Sequence, residues 1–145
     1  MNIPGKIWTL LAIMALSSAS SPENSNGETA VIVELDVFSG RPNPTWSVSA
    51  ERSMELLDAL QDLPPADQPS RKNGLGYRGF VLCNPDRVGG LAPHIRIYGG
   101  IVTMTDDRVQ SYRDVHDIEH RLLLQASQNG YKTIVEGVLA GMPDP

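Results

Sequence analysis

Cysteine is almost absent from this chain of 145 residues, in which Cys83 stands alone. A single thiol excludes an internal disulfide, so packing alone must hold the fold together. We expect Cys83 to be a buried, inert thiol, because it ends the apolar run at residues 80–83. The alternative is a disulfide between two copies of the chain, since an unpaired cysteine in a secreted protein sometimes pairs between molecules.

The N-terminal apolar run is too short to cross a bilayer, which takes about 20 residues. This run, residues 7–16, follows Lys6 and precedes Ser17-Ser18-Ala19. A positive residue, an apolar stretch and small residues in this order are the pattern of a secretory signal peptide. We therefore predict that residues 1–19 are a signal peptide cleaved after Ala19, and that the mature protein is secreted and has no membrane span.

Basic residues are too few for a polyanionic partner. The chain has 12 Lys and Arg against 17 Asp and Glu, a formal net charge of −5. Loss of Lys6 with the signal peptide makes the mature charge −6. Nucleic acids and anionic membranes attract cationic surfaces. We therefore expect no nucleic acid partner, and we do not expect an anionic membrane to be the main partner.

Cofactor and catalytic signatures are missing or lie in the wrong context. The G-x-S-x-G pattern of serine hydrolases is absent. Residues 74–79 read G-x-G-x-x-G, but a dinucleotide fingerprint follows a strand and begins a helix. Here a proline-rich loop precedes the glycines and a strand-like segment follows them. We predict no cofactor, and we interpret the glycines as a tight turn that leads into a strand.

The distribution of apolar residues predicts one α+β domain. Residues 20–29 have no large apolar side chain and are expected to be a disordered lead-in, which leaves residues 30–145 as the domain. Predicted strands and helices do not alternate one by one along this domain, as they do in parallel α/β folds. This order favours an antiparallel sheet of three to five strands with two, or at most three, helices packed on one face.

Individual elements follow from the period of the apolar residues. Alternation or short apolar runs predict strands, and a period near 3.6 predicts helices. The predicted strands are residues 30–38, 80–83, 94–98 and 101–104, with a short one at 46–48. The predicted helices are residues 50–63 and 115–128, with a short one at 131–140.

The most constrained backbone lies between the first strand and the first helix, at residues 38–46. It contains Gly40, which is open to positive φ, and two prolines that fix their own φ and favour extended geometry before them. The side chains held on this loop are Arg41, Asn43 and Trp46. Together with Tyr77 and Arg78 of a second loop, they are the predicted binding residues: Arg41, Asn43, Trp46, Tyr77 and Arg78.

A structural corner is the alternative interpretation of the same loop. In that case Trp46 belongs to the core and Arg41 is buried in an ion pair. The two interpretations differ in the exposure of these two side chains.

Residues 116–120 read His-Asp-Ile-Glu-His, which resembles the H-x-x-E-H signature of inverzincin metalloproteases. On a helix, His116 and His120 lie one turn apart and can share a zinc ion, while Glu119 activates a water molecule. The resemblance implies a third ligand downstream, for which Glu136 is the remaining glutamate. The alternative is a structural Glu119 that pairs with an arginine of the predicted binding residues.

These observations favour a small secreted binding module without catalytic activity. Rigid arginine and aromatic side chains lower the ordering cost of binding, so the expected partner is an extracellular small molecule, a glycan or a protein. We predict no catalytic residues and no bound metal. Two alternatives stay open: a zinc-dependent hydrolase built on residues 116–120, and a structural protein that dimerises through Cys83.

Overall fold

The computed structural model describes residues 31–69 and 76–142. The predicted signal peptide (1–19), the predicted lead-in (20–29) and the first two residues of the glycine motif at 74–79 lie outside these ranges.

The described residues form one antiparallel sheet and helices, so the predicted α+β class is confirmed. The sheet has six strands in the order β2-β1-β3-β4-β5-β6. Their bounds are β1 Val31–Leu35, β2 Thr45–Val48, β3 Phe80–Cys83, β4 His94–Tyr98, β5 Ile101–Thr105 and β6 Val109–Arg113.

The predicted number of three to five strands is wrong, because the sheet has six. The strand missing from the sequence prediction is β6, whose five residues are exposed or only half-buried. Its sequence therefore has no apolar alternation to reveal it. Its outer edge is covered by the segment at 64–66, where Ala66 N–H donates to Ser111 (2.9 Å) and Arg113 N–H donates to Pro64 (2.8 Å).

The helices are α1 Ala50–Ala59, α2 Ile118–Ala126 and α3 Lys132–Gly141. A π-type turn, Ser127–Tyr131, joins α2 to α3, and Gly130 within it has a φ of +93°. The first turn of α2 is capped by Asp114, whose carboxylate accepts hydrogen bonds from the backbone N–H of Ile118 (2.9 Å) and Glu119 (3.0 Å). The helix predicted at 115–128 therefore begins later, at Ile118, because a turn at 115–116 precedes it.

One hydrophobic core joins the sheet to the helices. On the sheet side, Val33, Leu82 and Ile95 are adjacent across β1, β3 and β4 and are fully buried. On the helix side, Leu57 of α1 and Leu122 of α2 belong to the same cluster. The opposite face of the sheet is open, and there the side chain of Ile32 is 43% exposed. The alternation in the strands therefore separates a core face from a solvent face.

A single glycine positions the start of β3 against β4. Gly79 has a φ of +90°, and its carbonyl accepts a hydrogen bond from Asp36 N–H (2.9 Å). A Cβ at this position would collide with the carbonyl oxygen of Ile97 and lie 2.6 Å from the Cβ of Tyr98. Only a residue without a side chain fits here.

Within the described ranges, no helix has both the length and the apolar composition needed to span a membrane.

We predict that Gly79→Ala lowers the free energy of unfolding by about 3 kcal/mol, because it adds a steric collision to the strain of a positive φ. Gly40→Ala is the matched control. Gly40 also has a positive φ (+85°), but a Cβ there meets no atom within 4 Å, so only the strain of about 1 kcal/mol applies. Urea unfolding of both variants measures the difference, and equal losses would contradict the collision.

Candidate functional site

Asn43 closes the loop between β1 and β2. Its side-chain oxygen accepts hydrogen bonds from the backbone N–H of Val37 (3.1 Å) and Phe38 (2.8 Å). Its amide nitrogen donates to the carboxylates of Glu34 (2.8 Å) and Asp36 (3.3 Å). Asn43 thus uses both ends of its amide inside the loop, where it acts as a brace.

The backbone of this loop has the predicted constraint. Gly40 adopts a φ of +85°, a conformation that L side chains rarely adopt. The carbonyl of Pro44 accepts a hydrogen bond from Leu35 N–H (2.9 Å), which extends the β1–β2 pairing to the end of the loop. The loop is therefore held at its base by backbone pairing and across its middle by Asn43.

Arg41 is exposed at the tip of this loop and stacks on Phe38. Its guanidinium carbon lies 3.5 Å from the centroid of the Phe38 ring, a cation–π contact. Arg41 forms no ion pair with any acid in the described ranges. One face of the guanidinium therefore lies on the ring, while its N–H groups bond to no acid of residues 31–69 and 76–142.

Trp46 is half-buried and connects β2 to α2. Its indole N–H donates to the side-chain oxygen of Gln125 (2.9 Å). Its ring packs edge-on against Phe80, with 6.3 Å between centroids, and lies at a tilt of 34° to the ring of Tyr131, with 5.8 Å between centroids. Of the two interpretations made from the sequence, the corner describes Trp46 better, whereas Arg41 points outward.

Arg78 belongs to a charge network centred on Asp36. Two nitrogens of Arg78 donate to one carboxylate oxygen of Asp36 (3.0 and 2.5 Å), and Arg96 of β4 donates to the other (2.8 Å). Arg78 also donates to the carbonyl of Phe38 (2.8 Å), and Arg96 donates to the carbonyl of Arg78 (3.0 Å). The network joins the end of β1 to the segments that begin β3 and form β4.

The two arginines set the acidity of Asp36. Burial alone would raise the pKa of this carboxyl, but hydrogen bonds from Arg78 and Arg96, together with their charges, lower the pKa below its ordinary value of 3.8. The ionised form of Asp36 is therefore stabilised by the fold.

Tyr77 and Glu119 form a second polar contact, on the core side of the same region. The Tyr77 hydroxyl donates to one oxygen of Glu119 (2.7 Å), and Gly100 N–H donates to the other (3.2 Å). Burial and the neighbouring Glu119 charge raise the pKa of Tyr77, so its hydroxyl stays protonated and remains a donor. Glu119 is buried, as its structural interpretation requires, but its partner is a tyrosine and a backbone amide.

A groove runs across one end of the sheet. Its sheet-side wall consists of residues 37, 38 and 41 after β1, residues 76 and 77 before β3, the β4–β5 turn at 98–101, and Arg113 at the end of β6. Residues 65–69 extend this wall beyond β6, and α3 is the opposite wall. The cavity volume is about 1920 Å³, larger than the roughly 300–1,000 Å³ of a typical small-molecule pocket.

Among the described residues, two positive and two negative side chains line the groove. Arg41 and Arg113 are exposed and form no ion pair within the described part of the chain. Glu119 is already bonded to Tyr77 and Gly100, whereas Asp67 is exposed beside the β6 end of the wall. Among the described lining residues, Arg41 is thus the charged side chain that follows β1, whereas Arg113 and Asp67 lie at the β6 end.

The predicted binding residues are divided between the groove and its support. Arg41 and Tyr77 line the groove. Asn43, Trp46 and Arg78 make their contacts inside the fold and hold the loops that carry the groove residues. Phe38 and Arg113, which sequence reasoning did not select, line the groove because the sheet order brings their strand ends to one edge.

The residues of the H-x-x-E-H pattern point in different directions. His116 precedes the first residue of α2, and Asp117 between them has a φ of +51°, so His116 and His120 are not one helical turn apart. Both histidines are exposed, whereas Glu119 is buried against Tyr77. Over residues 31–69 and 76–142, no group of three or more His, Cys, Asp or Glu side chains is arranged to hold a metal ion.

Cys83 lies on the open face of the sheet and is half-buried rather than fully buried. Its neighbours across the strands are Ile32 and His94. A disulfide between two copies through this thiol stays a prediction.

Comparison of the chain with protein-family models, with curated proteins and with solved structures found no match. The candidate site is therefore defined by the geometry of the chain itself.

Asp36→Asn is expected to lower the free energy of unfolding by about 2 kcal/mol at pH 7, because it removes the shared charge partner of two half-buried arginines. Since the folded state lowers the pKa of Asp36, its ionisation stabilises the fold above pH 3.8, and this stabilisation is lost as the pH falls through the lowered pKa. The difference in the free energy of unfolding between wild type and variant, measured with urea, should thus become smaller below about pH 3.8.

Asp58→Asn is the matched control, because it removes an exposed carboxylate from α1. It should change stability by less than about 0.5 kcal/mol. A loss as large as that of Asp36→Asn would contradict the network as the cause.

Tyr77→Phe is expected to cost about 1–2 kcal/mol, because it leaves an oxygen of the buried Glu119 carboxylate without its donor. Tyr112→Phe is the control, since the Tyr112 hydroxyl donates only to Gln110 at an exposed position (3.0 Å). Thermal or urea unfolding compares the two variants. Equal losses would show that the Tyr77–Glu119 contact adds no stability.

Proposed function

We propose that this chain is a secreted binding module without catalytic activity, and that its ligand lies in the groove and contacts Arg41. The ligand is an extracellular molecule of polar, glycan-like or protein character. The signal-peptide pattern of residues 1–19 motivates the extracellular setting.

The observation that carries this proposal is that Arg41 is exposed beside the groove and is held against the ring of Phe38. A flexible arginine loses rotamer freedom when it binds a ligand, which weakens the complex. The contact with Phe38 and the brace at Asn43 already restrict the guanidinium and its loop in the free protein. An exposed cation that is held in place beside a large groove supports recognition more than it supports stability.

The other predicted binding residues have two roles in this proposal. Tyr77 forms part of the groove wall and contacts the ring of Tyr98 (5.6 Å between centroids). Asn43, Trp46 and Arg78 act indirectly, because they hold the loops on which Arg41 and Tyr77 lie. Substitution of these three should therefore reduce stability together with binding.

The test is a binding screen of the mature chain against glycans and extracellular proteins. For a ligand found in this way, Arg41→Ala should weaken binding about tenfold, the loss expected when one charged hydrogen-bonding partner worth about 1.4 kcal/mol is removed. Arg108→Ala removes the same side chain from the turn between β5 and β6, at the other end of the sheet from the groove.

Arg108→Ala should leave the affinity unchanged, and both variants should keep the unfolding temperature of the wild type. The proposal is overturned if no ligand is retained, or if both variants weaken binding equally. Titration calorimetry provides the dissociation constants.

A further inference from the structure

We infer that the groove binds an extended peptide segment of about six residues, with an acidic group placed at Arg41 and apolar side chains placed against α3. This inference rests on the proposed binding function and specifies its ligand class. It follows from the length of the groove, the chemistry of its walls, the space beside α3 and the charge at one end.

The length of the groove favours an extended ligand. Its sheet-side wall passes the ends of β1, β3, β4, β5 and β6 in turn. Four spacings between neighbouring strands of about 4.8 Å give a length of about 19 Å. An extended peptide advances about 3.3 Å per residue, so about six residues span this distance.

The apolar part of the walls favours a peptide over a glycan. Val37 and Ile101 on the sheet side and Ile134, Val138 and Met142 on the helix side are aliphatic or thioether side chains. Such groups offer no partners for sugar hydroxyls, which would lose hydrogen bonds to water without replacement. Apolar peptide side chains gain free energy on the same surface through burial.

Two glycines leave room for a ligand along α3. Gly137 and Gly141 line the groove one helical turn apart, and a Cβ built on either meets no atom within 4 Å. Glycine in the interior of a helix costs about 0.5–1 kcal/mol relative to alanine. At Gly137 this loss of stability goes together with open space beside the helix, where a peptide backbone can approach closely.

Charge fixes the direction of the ligand. At the β1 end, Arg41 is an exposed cation without an ion-pair partner in the described ranges. At the β6 end, Arg113 and Asp67 both line the groove, so that end has no preferred sign. A carboxylate therefore gains most at Arg41, where a guanidinium offers paired N–H donors.

The test selects binders of the mature chain from a library of random peptides about twelve residues long, about twice the span of the groove. The enriched peptides should share one acidic residue at a fixed distance from two or more apolar residues. Fluorescence anisotropy then gives dissociation constants for wild type and variants.

Gly137→Leu should weaken the binding of these peptides at least tenfold by filling the groove, while helix stability stays equal or rises because leucine favours helix more than glycine does. Ala140→Leu is the control, because Ala140 is exposed on the same helix and does not line the groove.

Arg41→Glu should weaken binding at least tenfold, and replacement of the acidic peptide residue by lysine should restore it. Arg108→Glu should have no such effect.

The outcomes separate this inference from the proposed function. The acidic preference is overturned if the enriched peptides have no acidic residue, and if Gly137→Leu weakens their binding while Arg41→Glu leaves their affinity unchanged. The peptide class is overturned if no peptide is enriched and the chain instead retains a sulfated or uronic-acid oligosaccharide. The proposed function stays intact in that case, provided that Arg41→Ala abolishes binding of the oligosaccharide. Peptide binding that neither Gly137→Leu nor Arg41→Ala affects overturns both.

Discussion

The position of the groove depends on one carboxylate shared by two arginines. Asp36 follows β1 directly and bonds to Arg78 before β3 and to Arg96 within β4. Its backbone also pairs with this region, since its N–H donates to Gly79 and its carbonyl accepts from Arg78. Because Arg78 in turn donates to the carbonyl of Phe38, the network restrains the backbone of the residue whose ring Arg41 contacts. The ion cluster at Asp36 that joins β1, β3 and β4 is therefore also connected to the residue on which Arg41 stacks.

The groove itself results from the arrangement of the sheet and α3. In an antiparallel sheet, the loops and turns at one end come from alternate connections along the chain. Here that end collects the β1–β2 loop, the residues before β3 and the β4–β5 turn. The core beneath it is closed by Glu119, which anchors α2 to Tyr77 and to the backbone at Gly100. The sheet side of the groove is therefore tied to the core, and on the opposite side Gly137 and Gly141 leave the surface of α3 without side chains.

Local patterns predicted the class of the fold and the character of its most rigid loop. Alternation at β1 and the positive φ at Gly40 are properties of short stretches, and the structure has both. The sixth strand was missed because β6 lies at an edge where few of its side chains are buried. The partners of Trp46 and Glu119 lie 79 and 42 residues away along the chain, so no local pattern identifies them. Arg113 joined the candidate site for the same reason, since only the strand order brings it to the groove.

The segment at 64–66 has an effect on the behaviour of the protein in concentrated solution. By bonding to Ser111 and Arg113, it occupies backbone groups that would otherwise face outward from the last strand of the sheet. Open strand edges are templates on which chains of other molecules add and fibrils grow. On the other side of the sheet, β2 offers an edge of only four residues. A second chain therefore cannot pair with the covered part of the β6 edge, and at the β2 edge it can pair with only four residues. This limits aggregation in a domain that has no internal disulfide.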